Sequence, residues 1–226
     1  IAGFGLTGQA CTATSRVIVE RPVVEAFTAK LVALAQAWKV GPGLSAGCQM
    51  GPAVNQAELQ GNLDAIVAAQ AEGAQLVWGG ARLSEGDLAH GWFMQPAILG
   101  GVQPHMKIAR DEVFGPVVAI LAVDSFDEAL AVANGVEYGL SASLVTRDLK
   151  KAMVYSERIE AGLPAALAAL RPDGWALAAG DAMALQTARA LVASGADRAL
   201  TGVQRQFCYL PFEHAEDLSH QRTAVQ

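Results

Sequence analysis

The stretch Gly8-Gln9-Ala10-Cys11-Thr12-Ala13-Thr14-Ser15-Arg16 leads directly into the apolar segment Val17-Ile18-Val19. It places one cysteine among small residues, just before a β-branched run that predicts a buried strand. Small neighbours give a substrate access to the sulfur, which a cysteine nucleophile needs. Most cysteines, however, pack as small and inert hydrophobes. The residues alone therefore leave both interpretations of Cys11 open and favour the inert one.

Strand and helix patterns alternate along the chain after this stretch. Apolar runs predict strands over residues 16–20, 76–78, 92–99, 117–123 and 141–145. Periodicity predicts helices over residues 23–38, 55–71, 126–134 and 148–159, with Asn55, Ser125 and Asp148 as N-caps of the last three. This alternation predicts an α/β fold with a largely parallel sheet and flanking helices. Functional loops are expected at the carboxyl ends of its strands, and Pro96 predicts an edge strand.

Composition excludes several classes of protein. The 226 residues are 52% hydrophobic and carry a net charge of -6, which excludes a disordered chain and argues against a nucleic-acid partner. Three irregularly spaced cysteines make no disulfide framework, so a reducing, cytoplasmic location is expected. The longest apolar runs, such as residues 117–123, are too short to span a bilayer, and no signal peptide is recognisable. No membrane partner is therefore expected.

The pattern changes after Leu163, where strand signals end and alanine becomes frequent. Helical patterns follow over residues 181–194 and again from 201 to 225, with an interruption at Pro211. The sequence therefore predicts three regions, which are an α/β region at 1–163, a junction at 164–180 and a short all-α segment at 181–226.

Three segments of the first region resemble the catalytic domain of the aldehyde dehydrogenase superfamily. They are Gly8-Gln9-Ala10-Cys11-Thr12, Glu112-Val113-Phe114-Gly115-Pro116 and Asn134-Gly135-Val136-Glu137-Tyr138-Gly139-Leu140-Ser141-Ala142. They occur in the family's order and at about its spacing. The resemblance implies oxidation of an aldehyde to a carboxylate, with a small semialdehyde suggested as substrate, NAD or NADP as cofactor, and a homo-oligomeric parent enzyme.

The resemblance also implies roles for three residues. Cys11 stands at the nucleophile position, where the thiolate would form a thiohemiacetal and then a thioester, with its own backbone N–H as an oxyanion donor. Glu112 would accept hydrogen bonds from the hydroxyls of the nicotinamide ribose, and Phe114 would pack beside the nicotinamide. Alternatively, Glu112 is a solvated loop acid next to Arg110 and Phe114 an ordinary core aromatic. No metal site is expected.

The chain also departs from that family. The dinucleotide-binding domain that precedes the cysteine in complete members is not here, and no Gly-rich phosphate loop replaces it. Gly61 stands where many members place a lysine or other polar residue near the cofactor. After Leu163 the family continues into a strand, whereas this chain continues with Pro164-Ala165-Ala166. We therefore expect a truncated or fused enzyme that is inactive alone, with an open sheet edge and a tendency to self-associate.

The last region resembles the end of a bacterial all-helical, tetratricopeptide-like family of uncharacterised function. Two segments carry this second resemblance, Asp181-Ala182-Met183-Ala184-Leu185 and Phe207-Cys208-Tyr209-Leu210-Pro211-Phe212-Glu213-His214-Ala215-Glu216-Asp217-Leu218. The cluster of acids around His214 is interpreted as a solvated helix terminus in preference to a metal site. The alternative function is a non-catalytic scaffold or interaction module whose helical tail binds a partner.

Overall fold

The computed structural model describes residues 2–168 and 207–210. Its strands are β1 (Arg16–Glu20), β2 (Gln75–Gly79), β3 (Arg82–Leu83), β4 (Phe93–Met94), β5 (Ala97–Gly100), β6 (Val117–Val123), β7 (Ser141–Thr146), β8 (Leu163–Ala168) and β9 (Phe207–Leu210). Seven of them form one sheet in the order β2-β5-β6-β1-β9-β7-β8, and β3 pairs with β4 separately. Only the β2–β5 pairing in the large sheet is antiparallel among the described strands. The predicted, largely parallel α/β fold is confirmed.

The helices are α1 (Val24–Gln36), α2 (Gln56–Ala71), α3 (Lys107–Arg110), α4 (Phe126–Asn134) and α5 (Leu149–Arg158). The three predicted N-caps are confirmed. The side chains of Asn55, Ser125 and Asp148 accept hydrogen bonds from backbone N–H groups in the first turns of α2, α4 and α5. Each cap satisfies a donor that a helix start otherwise leaves unpaired.

Apolar side chains bury both faces of the sheet. Along β6, Val117, Ala119 and Leu121 pack into one cluster, together with side chains of α2, α4 and α5. Val118 and Ile120 point the other way, into a second cluster that includes residues of α1. Helices therefore cover the sheet on both sides, as parallel sheets require.

The predicted edge position for residues 92–99 is wrong. Pro96 lies between β4 and β5 rather than inside a strand, so its missing N–H interrupts neither ladder. The chain bends there, and β5 takes an interior position between β2 and β6.

The prediction that strands end at Leu163 is also wrong. β8 pairs with β7 over six residues in parallel, and it tolerates Pro164 because it is the last strand of the sheet. It also covers the edge of β7 that was expected to be open. β9 lies inside the predicted helical stretch 201–225 and enters the sheet between β1 and β7. In the alanine-rich β8, pairing with β7 overrides local propensity.

Other predictions for the last region lie outside the described residues. They include the helix over 181–194 and the cluster Glu213, His214, Glu216 and Asp217. Within the part of the chain that the structure describes, no helix combines the length and the apolar character needed to cross a membrane.

Candidate active site

Cys11 is exposed on the loop that precedes β1. The turn before it is unusual, because Leu6, Thr7 and Gly8 all have left-handed backbone angles, with φ values of 54°, 61° and 66°. Non-glycine residues adopt such angles at a cost, so other contacts must hold them there. One such contact is the buried Thr7 hydroxyl, which donates to the carbonyl oxygen of Gly51 at 3.1 Å.

Gln9 fixes the Cys11 loop to the start of α2. Its side-chain oxygen accepts from the backbone N–H of Val54 at 2.8 Å. Its amide nitrogen lies 3.4 Å from the carbonyl oxygen of Pro52 and 3.3 Å from that of Leu6. One side chain therefore joins the segment before Cys11 to the loop that leads into the Asn55 cap.

The first two sequence motifs meet where Gly8 contacts Gly115. A Cβ on Gly8 would overlap the carbonyl group of Gly115, and a Cβ on Gly115 would overlap the side-chain amide of Asn62. The two loops therefore approach as closely as backbone allows. Phe114, next to this contact, also has a left-handed φ of 56° and keeps 41% of its surface exposed. An apolar ring is thus held out into solvent beside the Cys11 loop.

Glu112 lines a cavity of about 200 Å³. Arg16 at the start of β1, and Tyr138 and Ser141 from the third motif, line the same cavity. Neither Cys11 nor Phe114 is among the described residues that line it. The structure therefore brings Glu112 together with the third motif at the cavity, and Phe114 together with the Cys11 loop beside it.

Arg16 forms one wall of this cavity. Its guanidinium donates to the carbonyl oxygens of Val132 and Ala133, at 3.1 and 3.2 Å, in the last turn of α4. A cation there complements the negative end of the helix dipole. Burial lowers the pKa of Arg16 to about 10, so it stays protonated at neutral pH.

The Cys11 loop and the loop with Glu112 and Phe114 lie at the amino ends of their strands, whereas functional loops were expected at the carboxyl ends. The Cys11 loop precedes β1, and the loop with Glu112 and Phe114 precedes β6. Because β1 and β6 are parallel, both strand starts lie at the same edge, where the backbone N–H of Ala119 donates to Ser15 at 2.9 Å.

Sequence reasoning missed Asn62 and the positioning role of Gln9. Asn62 is 1% exposed, and its amide atoms have no hydrogen-bond partner among the described residues. The available signal was a polar residue next to Leu63 on the apolar face of α2. The thiol of Cys48 lies away from this site and donates toward the backbone carbonyl oxygens of Gly41 and Met50, at 3.1 and 3.3 Å.

Comparison with known families shows to which family the chain belongs. The sequence model of the aldehyde dehydrogenase family matches residues 1–165. The chain belongs to the aldehyde dehydrogenase family. Residues 170–226 match a second model, described as a bacterial protein of unknown function (DUF924). The two-part composition predicted from the motifs is confirmed.

Curated relatives resemble the aldehyde dehydrogenase region closely. Alpha-ketoglutarate semialdehyde dehydrogenase of Haloferax volcanii is 50% identical over 162 residues, which are 71% of this chain and 33% of the relative. Alpha-ketoglutaric semialdehyde dehydrogenase of Bacillus subtilis is 42% identical over 160 residues, again 71% of this chain and 33% of the relative. The chain thus spans about a third of the length of these relatives.

Solved structures agree with this relationship. A crystal structure of betaine aldehyde dehydrogenase from Staphylococcus aureus in complex with NAD+ superposes with a TM-score of 0.71 at 30% identity. The match covers 73% of this chain and 33% of that one.

Proposed function

We propose that Cys11 is the nucleophile of an aldehyde-oxidising site and that the parent reaction converts a small semialdehyde into a carboxylate. The observation that carries this proposal is the exposed Cys11 on a loop tied down by Thr7 and Gln9, directly beside the loop of Glu112 and Phe114. The semialdehyde named for the two curated relatives supports the substrate class. No observation favours the alternative of a non-catalytic interaction module.

The chemistry begins at the Cys11 sulfur. The thiolate attacks the aldehyde carbon, a carbon–sulfur bond forms, and the carbonyl electron pair moves to oxygen to give a thiohemiacetal. The backbone N–H of Cys11 is the proposed donor to that oxygen. A nicotinamide cofactor, when bound, accepts the hydride that the thiohemiacetal carbon loses. The thioester left on Cys11 is then hydrolysed to release the carboxylate and restore the thiol.

Glu112 and Phe114 suit such a cofactor. Glu112 places a carboxylate on the cavity wall, where it can accept two hydrogen bonds from neighbouring hydroxyls. Phe114 offers an exposed aromatic face to a planar ring. The matched region is a third of the length of the relatives, so we propose that this 226-residue chain by itself does not reduce NAD. A reducing compartment such as the cytoplasm suits an exposed catalytic thiol.

Alkylation by iodoacetamide tests the role of Cys11. The labelling rate of each cysteine is followed by mass spectrometry, with Cys48 as the internal reference because its thiol is engaged by backbone. We expect Cys11 to be alkylated at least tenfold faster than Cys48. Alpha-ketoglutaric semialdehyde should slow the alkylation of Cys11 alone. Alpha-ketoglutarate, which lacks the aldehyde, is the control. Equal labelling of the two cysteines, without protection by the aldehyde, would refute the proposal.

A second measurement tests the expected inactivity. Purified chain is incubated with NAD and the semialdehyde, and absorbance of NADH is followed against a Cys11→Ala variant. We expect identical traces. Turnover above the variant would show that the chain alone binds cofactor productively, and would overturn that part of the proposal while supporting Cys11.

A further inference from the structure

The strands β1 and β7 do not pair with each other, although each lies inside the sheet. β1 pairs with β6 on one side and with β9 on the other, and β7 pairs with β8 and β9. In the part of the chain that the structure describes, the facing edges of β1 and β7 therefore have β9 as their shared partner. The sheet is continuous only because Phe207–Leu210 lies in this gap.

The gap lies in the interior of the sheet. Ile18 and Val19 of β1 and Leu144 of β7 are all 0% exposed. Backbone N–H and C=O groups in such surroundings are nearly always hydrogen-bonded, because water cannot reach them. The two facing edges therefore require an extended segment between them, and the register shows how β9 provides one. It pairs with β1 over four residues, from Arg16↔Phe207 to Val19↔Leu210, and with β7 at two.

The occupant has the composition that such a gap favours. Phe207, Cys208, Tyr209 and Leu210 form a short apolar run rich in residues that suit strands. Pro211 follows immediately and has no backbone N–H, which ends the ladder at Leu210. Residues 169–206 separate β8 from β9, and a connection of that length exceeds the dozen or so residues that a parallel crossover needs.

We propose that the gap between β1 and β7 is a strand-acceptor site filled by Phe207–Leu210 of the same chain. The region that matches the bacterial family of unknown function thereby donates the strand that completes the aldehyde dehydrogenase sheet. Its role in this chain is structural complementation. This proposal is independent of the reaction at Cys11.

A disulfide across the gap tests the proposal in the full chain. Ser143 and Cys208 are register partners, and neighbouring strands lie about 4.8 Å apart, within the range of roughly 4.4 to 6.8 Å between Cα atoms that disulfides span. Ser143→Cys is introduced with Cys11→Ser and Cys48→Ser, so that position 208 holds the only other thiol. The matched control is Ser141→Cys, two residues earlier on the same strand and on the same face.

After mild oxidation, peptide mapping should find the 143–208 disulfide within single chains, at least tenfold more abundant than the 141–208 disulfide in the control. Equal yields, or no disulfide in a variant whose circular dichroism matches the parent, would overturn the proposal. A disulfide that links two chains would overturn the assignment of the occupant, because the strand would then come from a second copy.

Proline substitution gives a readout that does not depend on cysteine chemistry. Tyr209 pairs with Ile18 on one side and Leu144 on the other. Tyr209→Pro removes an N–H from this ladder and should lower the melting temperature by about 5 °C or more. Tyr209→Phe, which keeps the backbone N–H at the same position, should leave it nearly unchanged. Equal melting temperatures for the two variants would show that residues 207–210 do not occupy the gap.

Discussion

The backbone of Gly8 lies directly against the carbonyl group of Gly115, with no space between them for a side chain. Gly8 comes from the motif that contains Cys11, and Gly115 from the motif that contains Glu112 and Phe114. The contact therefore sets the distance between the proposed nucleophile and the proposed cofactor contacts. Glycine is required at position 8 for two reasons, the overlap and the left-handed φ of 66°.

Gly8→Ala should destabilise the protein. The added methyl group would force the two loops apart, and alanine at this φ carries a backbone penalty of its own, so we expect a loss of about 2 kcal/mol or more in the free energy of unfolding. Urea titration measures it. Alkylation of Cys11 should also change, since the loop moves.

Gly61→Ala is the matched control for that substitution. A Cβ on Gly61 would have no neighbour within 4 Å, and the residue lies inside α2. Alanine there should stabilise the protein by up to about 1 kcal/mol, because it favours the helix. If both variants lose the same stability, the Gly8–Gly115 contact does not constrain the loops.

Gln9→Ala should loosen the junction between the Cys11 loop and α2. The Val54 amide loses its acceptor, and a hydrogen bond of about 1 kcal/mol corresponds to roughly fivefold faster hydrogen exchange at that amide. Exchange followed by NMR checks this. Gln60→Ala is the control, because the Gln60 side chain donates to the exposed Asp64, one turn further along α2, and its loss should leave Val54 unaffected.

Arg16→Met should destabilise the fold by about 1–2 kcal/mol. Methionine keeps much of the apolar length but leaves the carbonyl oxygens of Val132 and Ala133 without a charged donor. Arg16→Lys should recover part of the loss, because lysine keeps the charge but cannot reproduce the two-pronged contact. Thermal unfolding of the parent, Arg16→Lys and Arg16→Met measures this order of stability. Equal stability of Arg16→Met and the parent would show that Arg16 is dispensable to α4.

Much of the fold was predictable because its signals are local. The apolar run 117–123 and the caps Ser125 and Asp148 each act within a few residues, and β6, α4 and α5 form where those signals indicate. β8 was missed because its alanines carry little strand signal, and β9 because a run of four apolar residues before Pro211 is too short to decide between a helix and a strand. Their strands follow from pairing with β7 and β1, which are distant in sequence.

The candidate site was also predictable only in part. Cys11, Glu112 and Phe114 were named from motif resemblance, and their assigned roles stay predictions. The contacts that place them were not visible in the sequence, since Gly8–Gly115 and Gln9–Val54 join residues that are far apart along the chain. The candidate residues lie at the amino ends of β1 and β6, whereas the carboxyl ends were expected. A strand pattern does not show which of its two flanking loops will contact the loop of the neighbouring strand.

The ion pair between Arg21 and Asp124 predicts a pH dependence of stability. Two guanidinium nitrogens of Arg21 contact the carboxylate at 2.6 and 3.0 Å, and this hydrogen bonding holds the pKa of Asp124 below its ordinary value. Because the folded pKa lies below the unfolded one of about 3.9, the pair stabilises the protein above that pH. The contribution is lost as pH falls through the folded pKa. It should be small and weaken with salt, since both side chains are exposed.

NMR titration of the Asp124 carboxyl checks this directly. In Arg21→Gln, the pKa of Asp124 should rise toward its ordinary value, because the main cause of the shift is removed. Arg158→Gln is the control, since it breaks a different surface pair, with Asp127, and should leave the pKa of Asp124 in place. The urea concentration at the midpoint of unfolding should be lower for Asp124→Asn than for the parent at neutral pH. In acid the two midpoints should become equal. A difference that persists below the folded pKa would assign the effect to something other than this carboxylate's charge.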